Sequence, residues 1–177
     1  RRRLVRTETD EIAVAENDNG EKSYKVVAAT VGKRNRNDFV LTGDVIEMER
    51  DTYPLLYEHG KDVNSIIGYA KPYFDAEANA YMADIVPYDT NPNIIRSIEN
   101  GAYDSVSIAY LIDSYTFGED DEILVQHAIM REISLVVTGA DPEARIFNNG
   151  INDEMRAEIE KHKANKALVE EIKKKYE

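Results

Sequence analysis

A chain of 177 residues, 42% hydrophobic and 32% charged, carries enough apolar material for one buried core, and its lack of cysteine excludes disulfides, a thiol nucleophile and thiolate metal sites. The net charge of −12 is concentrated: residues 51–150 hold five basic against seventeen acidic side chains, while residues 1–50 balance at ten each and 151–177 at seven each. So acidic a middle repels phosphates and argues against a nucleic-acid surface, and no apolar run reaches the roughly 18–20 residues of a membrane-spanning helix.

The chain opens Arg1-Arg2-Arg3 rather than with Met, which reads as a fragment or a processed product. Residues 1–22 are polar, with a turn at Asn17-Asp18-Asn19-Gly20, and are expected to form a flexible arm. Residues 23–31 (SYKVVAATV) have strand composition, 33–38 form a polar loop, and 39–41 begin a short apolar piece. Residues 43–50 (GDVIEMER) suit a strand or one helical turn. Residues 53–57 form a strand ending at Glu58-His59-Gly60, and residues 66–73 and 80–86 pair as antiparallel strands around a turn at 75–79.

The clearest helix follows. Asp89-Thr90-Asn91 offers capping side chains, Pro92 suits the first turn, Ile94, Ile95 and Ile98 make one stripe, and Gly101 ends it. Residues 105–114 are a strand, 118–122 (GEDDE) an acidic hairpin loop, and 123–137 a long strand region open to a bulge. Residues 151–176 form a helix with a narrow seam of Ile151, Met155, Ile159, Leu168 and Ile172, expected to be an appendage. Short, mostly antiparallel strands with one inserted helix imply a mainly β, α+β fold: a β-barrel with flanking helices over residues 23–150, and a C-terminal helix over 151–177.

Three stretches carry reactive groups. Ser107 stands between Val106 and Ile108; on its own, such a serine is ordinarily a small hydroxyl satisfied by a neighbour. A serine nucleophile needs a base, and the base needs an orienting partner. His59, ending an apolar strand beside Gly60, is the best base, with an exposed or a structural histidine as the bland alternative. Glu132 lies in the apolar run 129–136, where a carboxylate must find a cation or hydrogen-bond donors: His59, or else Arg131 or Arg145 in a plain ion pair. Backbone N–H groups of Thr138, Gly139 and Ala140 could form an oxyanion hole. His127 falls in a strand, and His162 in the terminal helix, where solvation is expected. The histidines are spread, no calcium loop or glycine-rich phosphate loop occurs, and neither metal nor cofactor is expected.

Residues 55–60 (LLYEHG) with 66–70 (IIGYA), 89–110 (DTNPNIIRSIENGAYDSVSIAY) and 131–142 (REISLVVTGADP), in this order, resemble the prohead (capsid maturation) serine proteases of tailed bacteriophages. That family is distantly similar in fold to the herpesvirus assemblins. The resemblance covers roughly residues 39–147. It departs at Ala109, where a glycine is usual, at Gly139, where a proline is usual, and at Gly60, where an acidic or amide residue is common. It implies Ser107 as nucleophile, His59 as base and Glu132 as third member. A second histidine fills that last place in the herpesvirus relatives, which makes His127 the rival. On an unbroken strand the two candidates, five positions apart, face opposite ways. The resemblance further implies a closed, mostly antiparallel barrel of the herpesvirus-protease type, and cleavage of viral scaffold and capsid-protein segments, and of itself, inside the prohead in the host cytoplasm. Self-association through the terminal helix is expected, and no nucleic acid or membrane partner. An inactive scaffolding module on the same barrel is the alternative, and a small-molecule-binding barrel a third class.

Overall fold

The computed structural model describes residues 4–6, 11–16, 20–35, 38–103, 105–137 and 153–176. In chain order the strands are β1 (Leu4–Arg6), β2 (Glu11–Glu16), β3 (Lys22–Thr30), β4 (Phe39–Leu41), β5 (Ile46–Glu47), β6 (Tyr53–Tyr57), β7 (Ile66–Asp75), β8 (Ala80–Pro87), β9 (Ser105–Phe117) and β10 (Ile123–Val136). Helix α1 (Pro92–Asn100) separates β8 from β9, and α2 (Asp153–Tyr176) follows β10.

The long hairpin β9–β10 follows from two alternating segments joined by the acidic loop, which Gly118 N–H closes onto Glu122 O at 2.8 Å. Val106, Ile108, Tyr110 and Ile112 of β9 face the core, as do Val125, Ala128, Met130, Ile133 and Leu135 of β10. The spacing along β10 is irregular because two bulges reset its phase. One lies near Gln126 and His127; at the other, Met130 opposes Tyr110 while Glu132 opposes the very next residue, Ala109, leaving Arg131 extra.

β10 is antiparallel to β9 and pairs in parallel with three successive short strands: β4 opposite Ile123–Val125, β5 opposite Ala128–Ile129 and β6 opposite Ile133–Leu135. From β6 the sheet continues antiparallel through β7, β8, β3, β2 and β1. The pairings form one ten-stranded sheet, and among the described residues no ladder joins β9 to the opposite end, so the expected closed barrel is not formed by hydrogen bonding. The segment expected to be an arm contains β1 and β2, which lengthen the sheet from β3.

Helix α1 forms where its signals stand. The Asn91 side chain accepts from Ile94 N–H at 3.4 Å, Pro92 occupies the first turn, and Gly101 ends the helix at φ 84°. Ile98 is fully buried.

The terminal helix is more than an appendage. Met155 and Ile159 are 7% and 8% exposed and belong to the main core, whereas Leu168 and Ile172 are 56% and 48% exposed. The seam is narrow because only its first half lies on the body. There, His162 stacks on Phe117 with ring centroids 3.7 Å apart, Tyr115 donates to Glu158, and Lys166 pairs with Asp121 at 3.1 Å. His162 is thus only partly solvated, with 36% of its side chain exposed and one face of its ring covered: the protruding rings at the hairpin tip supply an apolar shelf that helix periodicity alone does not reveal. Ile151 lies outside the described residues.

Met155→Ala or Ile159→Ala should each cost about 2–5 kcal/mol, the usual range for emptying a buried Met or Ile site, while Leu168→Ala and Ile172→Ala stay within about 0.5 kcal/mol. Denaturant unfolding measures both pairs; equal small effects would mean that α2 does not contribute to the core.

Candidate active site

The site starts where β6 stops. After Tyr57 the chain adopts two consecutive left-handed conformations without glycine, Glu58 at φ 46° and His59 at φ 56°, and Gly60 N–H closes the turn onto Tyr57 O at 2.9 Å. Such residues each cost roughly 1–2 kcal/mol and persist only where the surroundings hold them. Gly60 is required on the far side, since a Cβ there would meet Ser65 Oγ at 2.0 Å. Ser65 in turn is fixed by Asp62, donating its amide to Asp62 O at 3.0 Å and its hydroxyl to the Asp62 carboxylate at 3.2 Å.

Strand β10 holds the turn from the other side. Glu58 N–H donates to Leu135 O at 3.0 Å, and the Glu58 carboxylate accepts from Val137 N–H at 2.9 Å. His59 N–H donates to Ser134 Oγ at 3.2 Å. His59 Nδ1 lies 2.5 Å from Glu132 Oε1, so the imidazole N–H donates to the carboxylate and Nε2 becomes the basic nitrogen. The His59 side chain is 4% exposed and that of Glu132 25%, so the pair is drier on the imidazole side.

Ser107 enters through the ladder. It stands directly opposite Ser134, and Ala109 directly opposite Glu132, so Ser107, Ala109, Glu132 and Ser134 share the face away from the core. Ser134 is therefore the common neighbour of Ser107 and of the His59 backbone. Ser107 is half-buried. Tyr103, just before β9, meets Tyr57 edge-on at 5.7 Å and flanks the site; burial, with Tyr57 second, raises the pKa of its phenol.

Of the expected residues, the structure brings His59 and Glu132 into contact and sets Ser107 opposite Ser134, two residues along β10 from Glu132. Arg131 is exposed, and the Glu132 partner is His59. Arg145, and the expected oxyanion donors Thr138, Gly139 and Ala140, lie outside the described residues. The bulge at Arg131 brings His127 and Glu132 to the same, outer face, against the expectation for an unbroken strand. His127 is nevertheless engaged elsewhere: its Nδ1 is 2.6 Å from Asp113 and its Nε2 3.0 Å from Glu47. Sequence reasoning missed Ser134 and Glu58. The available signal was a serine two positions from Glu132 in an otherwise apolar strand, and an acid beside the histidine. Among the described residues no group of three or more His, Asp or Glu side chains is arranged to hold a metal ion, and no helix is long and apolar enough to cross a membrane.

Two curated relatives, from Lactococcus phage p2 and Lactococcus phage SK1, are each 47% identical over 175 residues, covering 97% of this chain and 98% of their own length. Both are named "Probable capsid maturation protease". The chain belongs to the phage capsid maturation protease family. No family model and no solved structure matches it.

In this capsid maturation protease the His127 cluster is a separate electrostatic feature. Hydrogen bonding to Asp113, opposed by desolvation and reinforced by Glu47, raises the His127 pKa above its usual value. A raised folded pKa means that the protonated form is favoured by folding. The stabilisation is complete below the unfolded value of about 6.5 and is lost as pH rises through the folded value. Chemical denaturation of wild type and His127→Gln should therefore differ most at acidic pH and converge at alkaline pH, with the difference shrinking in high salt. A gap that widens as pH rises would contradict the cluster.

Proposed function

We propose that this chain is a serine endopeptidase of viral capsid maturation, with Ser107 as nucleophile, His59 as general base and Glu132 as the carboxylate that orients His59. The observation that carries the reading is the 2.5 Å contact of His59 Nδ1 with Glu132, on the sheet face where Ser107 neighbours Ser134. Glu132 holds the imidazole in the tautomer whose Nε2 accepts a proton, and it stabilises the imidazolium that forms. Ser107 Oγ attacks the scissile carbonyl carbon as its proton passes to His59 Nε2. The imidazolium then protonates the leaving amine, an acyl-serine remains, and water activated by the same nitrogen releases the acid. Backbone N–H groups of Thr138, Gly139 and Ala140 are assigned to the oxyanion of the tetrahedral intermediates. The chemistry needs no cofactor.

The names of the relatives favour capsid maturation as the setting. The substrates assigned are segments of viral capsid and scaffold proteins, and the chain itself, inside the assembling prohead in the host cytoplasm. Residues 23–150 are assigned as the catalytic unit, preceded by an arm over 1–22 and followed by the helix over 151–177, whose exposed Leu168 and Ile172 suit self-association. Kinship with the herpesvirus assemblins and their closed barrel enters this reading through the motif resemblance alone.

A fluorophosphonate probe should label wild type at Ser107, and Ser107→Ala should abolish labelling and cleavage without changing the circular dichroism spectrum. Glu132→Gln should lower turnover by up to on the order of 10⁴, as loss of the orienting acid does in a serine triad, whereas His127→Ala should leave it nearly intact. Near-wild-type cleavage by Ser107→Ala would sink the nucleophile assignment. A severe loss in His127→Ala with an active Glu132→Gln would transfer the third role to His127.

A further inference from the structure

Every group that fixes the His59 turn to β10 has a visible task except one whose side chain is ordinarily replaceable. Ser134 is completely buried and follows Ile133 in an apolar strand, a position that alanine would fill with almost the same volume. A buried hydroxyl is unfavourable there unless it is hydrogen-bonded. Its oxygen accepts the backbone N–H of His59, the residue held at φ 56°, at 3.2 Å. The same residue lies directly across the ladder from Ser107. One small side chain thus touches the backbone of the general base and adjoins the strand position of the nucleophile, on a strand whose residue 132 grips the imidazole.

We propose that Ser134 is a positioning residue for the proteolytic reaction: its hydroxyl anchors the His59 amide and thereby sets the imidazole over Ser107. The proposal rests on the serine-protease reading above. Glu132 holds the ring at Nδ1, and a contact at that one atom does not by itself fix the ring's tilt. A second anchor on the backbone of the same residue does. Leu135 O and the Val137 amide hold Glu58 rather than His59, so they cannot substitute for it. Without the hydroxyl, the His59 amide loses its acceptor, the strained peptide relaxes, and the ring moves by a fraction of an ångström to an ångström. A displacement of that size costs on the order of 10² in rate when reacting atoms must meet in line. Ser134 lies beneath His59 and need not touch substrate, so the loss falls on kcat.

The test compares Ser134→Ala and Ser134→Thr in the full chain, by cleavage kinetics, by the rate of fluorophosphonate labelling at Ser107, and by amide hydrogen exchange at His59. Ser134→Ala should lower kcat and the labelling rate on the order of 10² with KM within about twofold, while near-ultraviolet circular dichroism is unchanged. Ser134→Thr, which keeps the hydroxyl, should recover most of the rate. The His59 amide should exchange slowly in wild type and faster in Ser134→Ala. Wild-type kcat in Ser134→Ala, a threonine variant no better than alanine, or a rapidly exchanging His59 amide in wild type would each overturn the proposal. If Ser134→Ala does not fold, the threonine kinetics and the wild-type exchange decide it. Failure of the underlying reading is distinguishable, because wild type itself would then carry no label at Ser107.

Discussion

The backbone of β10 is hydrogen-bonded on both sides along most of its length, to β9 on one edge and in turn to β4, β5 and β6 on the other. A strand so enclosed cannot slide or twist independently, and every side chain on it inherits a fixed height and face. Its inner residues, from Val125 to Leu135, build the core; its outer residues 132 and 134 meet the His59 turn. The parallel pairing with β6 is what brings that turn to the end of β10, since Tyr57, the last residue of β6, lies opposite Leu135. Core and site share one scaffold, and the rigidity that the core requires is available to the chemistry at no separate cost.

The turn itself shows how strain is accommodated. Two left-handed non-glycine residues in succession cost about 2–4 kcal/mol together, and the four polar contacts to Glu132, Ser134, Leu135 and Val137 return about 0.5–1.5 kcal/mol each. The two are of the same size. A conformation this closely balanced exists only while its contacts are made, so the direction of the imidazole depends on the neighbours of the turn as much as on the ring itself.

The sequence was most legible where the signals are local. Asn91, Pro92 and Gly101 bounded α1, and the Asp75 turn joined β7 to β8, because caps and turns depend on a few adjacent residues. Strand β6 was bounded correctly by its apolar run and the Glu58-His59-Gly60 end. The parallel ladders of β4 and β5 were not legible, since two- and three-residue strands have no period of their own. Docking of α2 was hidden for another reason: the shelf that receives it is made by Tyr115 and Phe117, forty residues earlier and on the side of β9 that alternation marks as outward. At the site, residue types pointed to His59, Ser107 and Glu132, but the partner of Glu132 could be named only once the bulge at Arg131 fixed which way it faced.

That bulge also makes the strand unequal in its tolerance of changes in length. Arg131 is the residue without an opposite number in β9, so a chain that lost it would still carry Met130 inward and Glu132 outward, now in regular alternation and without the bend. One residue gained between Glu132 and Ser134 has no such escape, because it turns one of the two toward the core. Length variation among relatives should accordingly gather N-terminal to Glu132, and scoring single-residue deletions and insertions along β10 for folding and cleavage would expose the asymmetry. The three residues from Glu132 to Ser134 then behave as an indivisible unit of inheritance, although no helix, loop or domain boundary marks them as one.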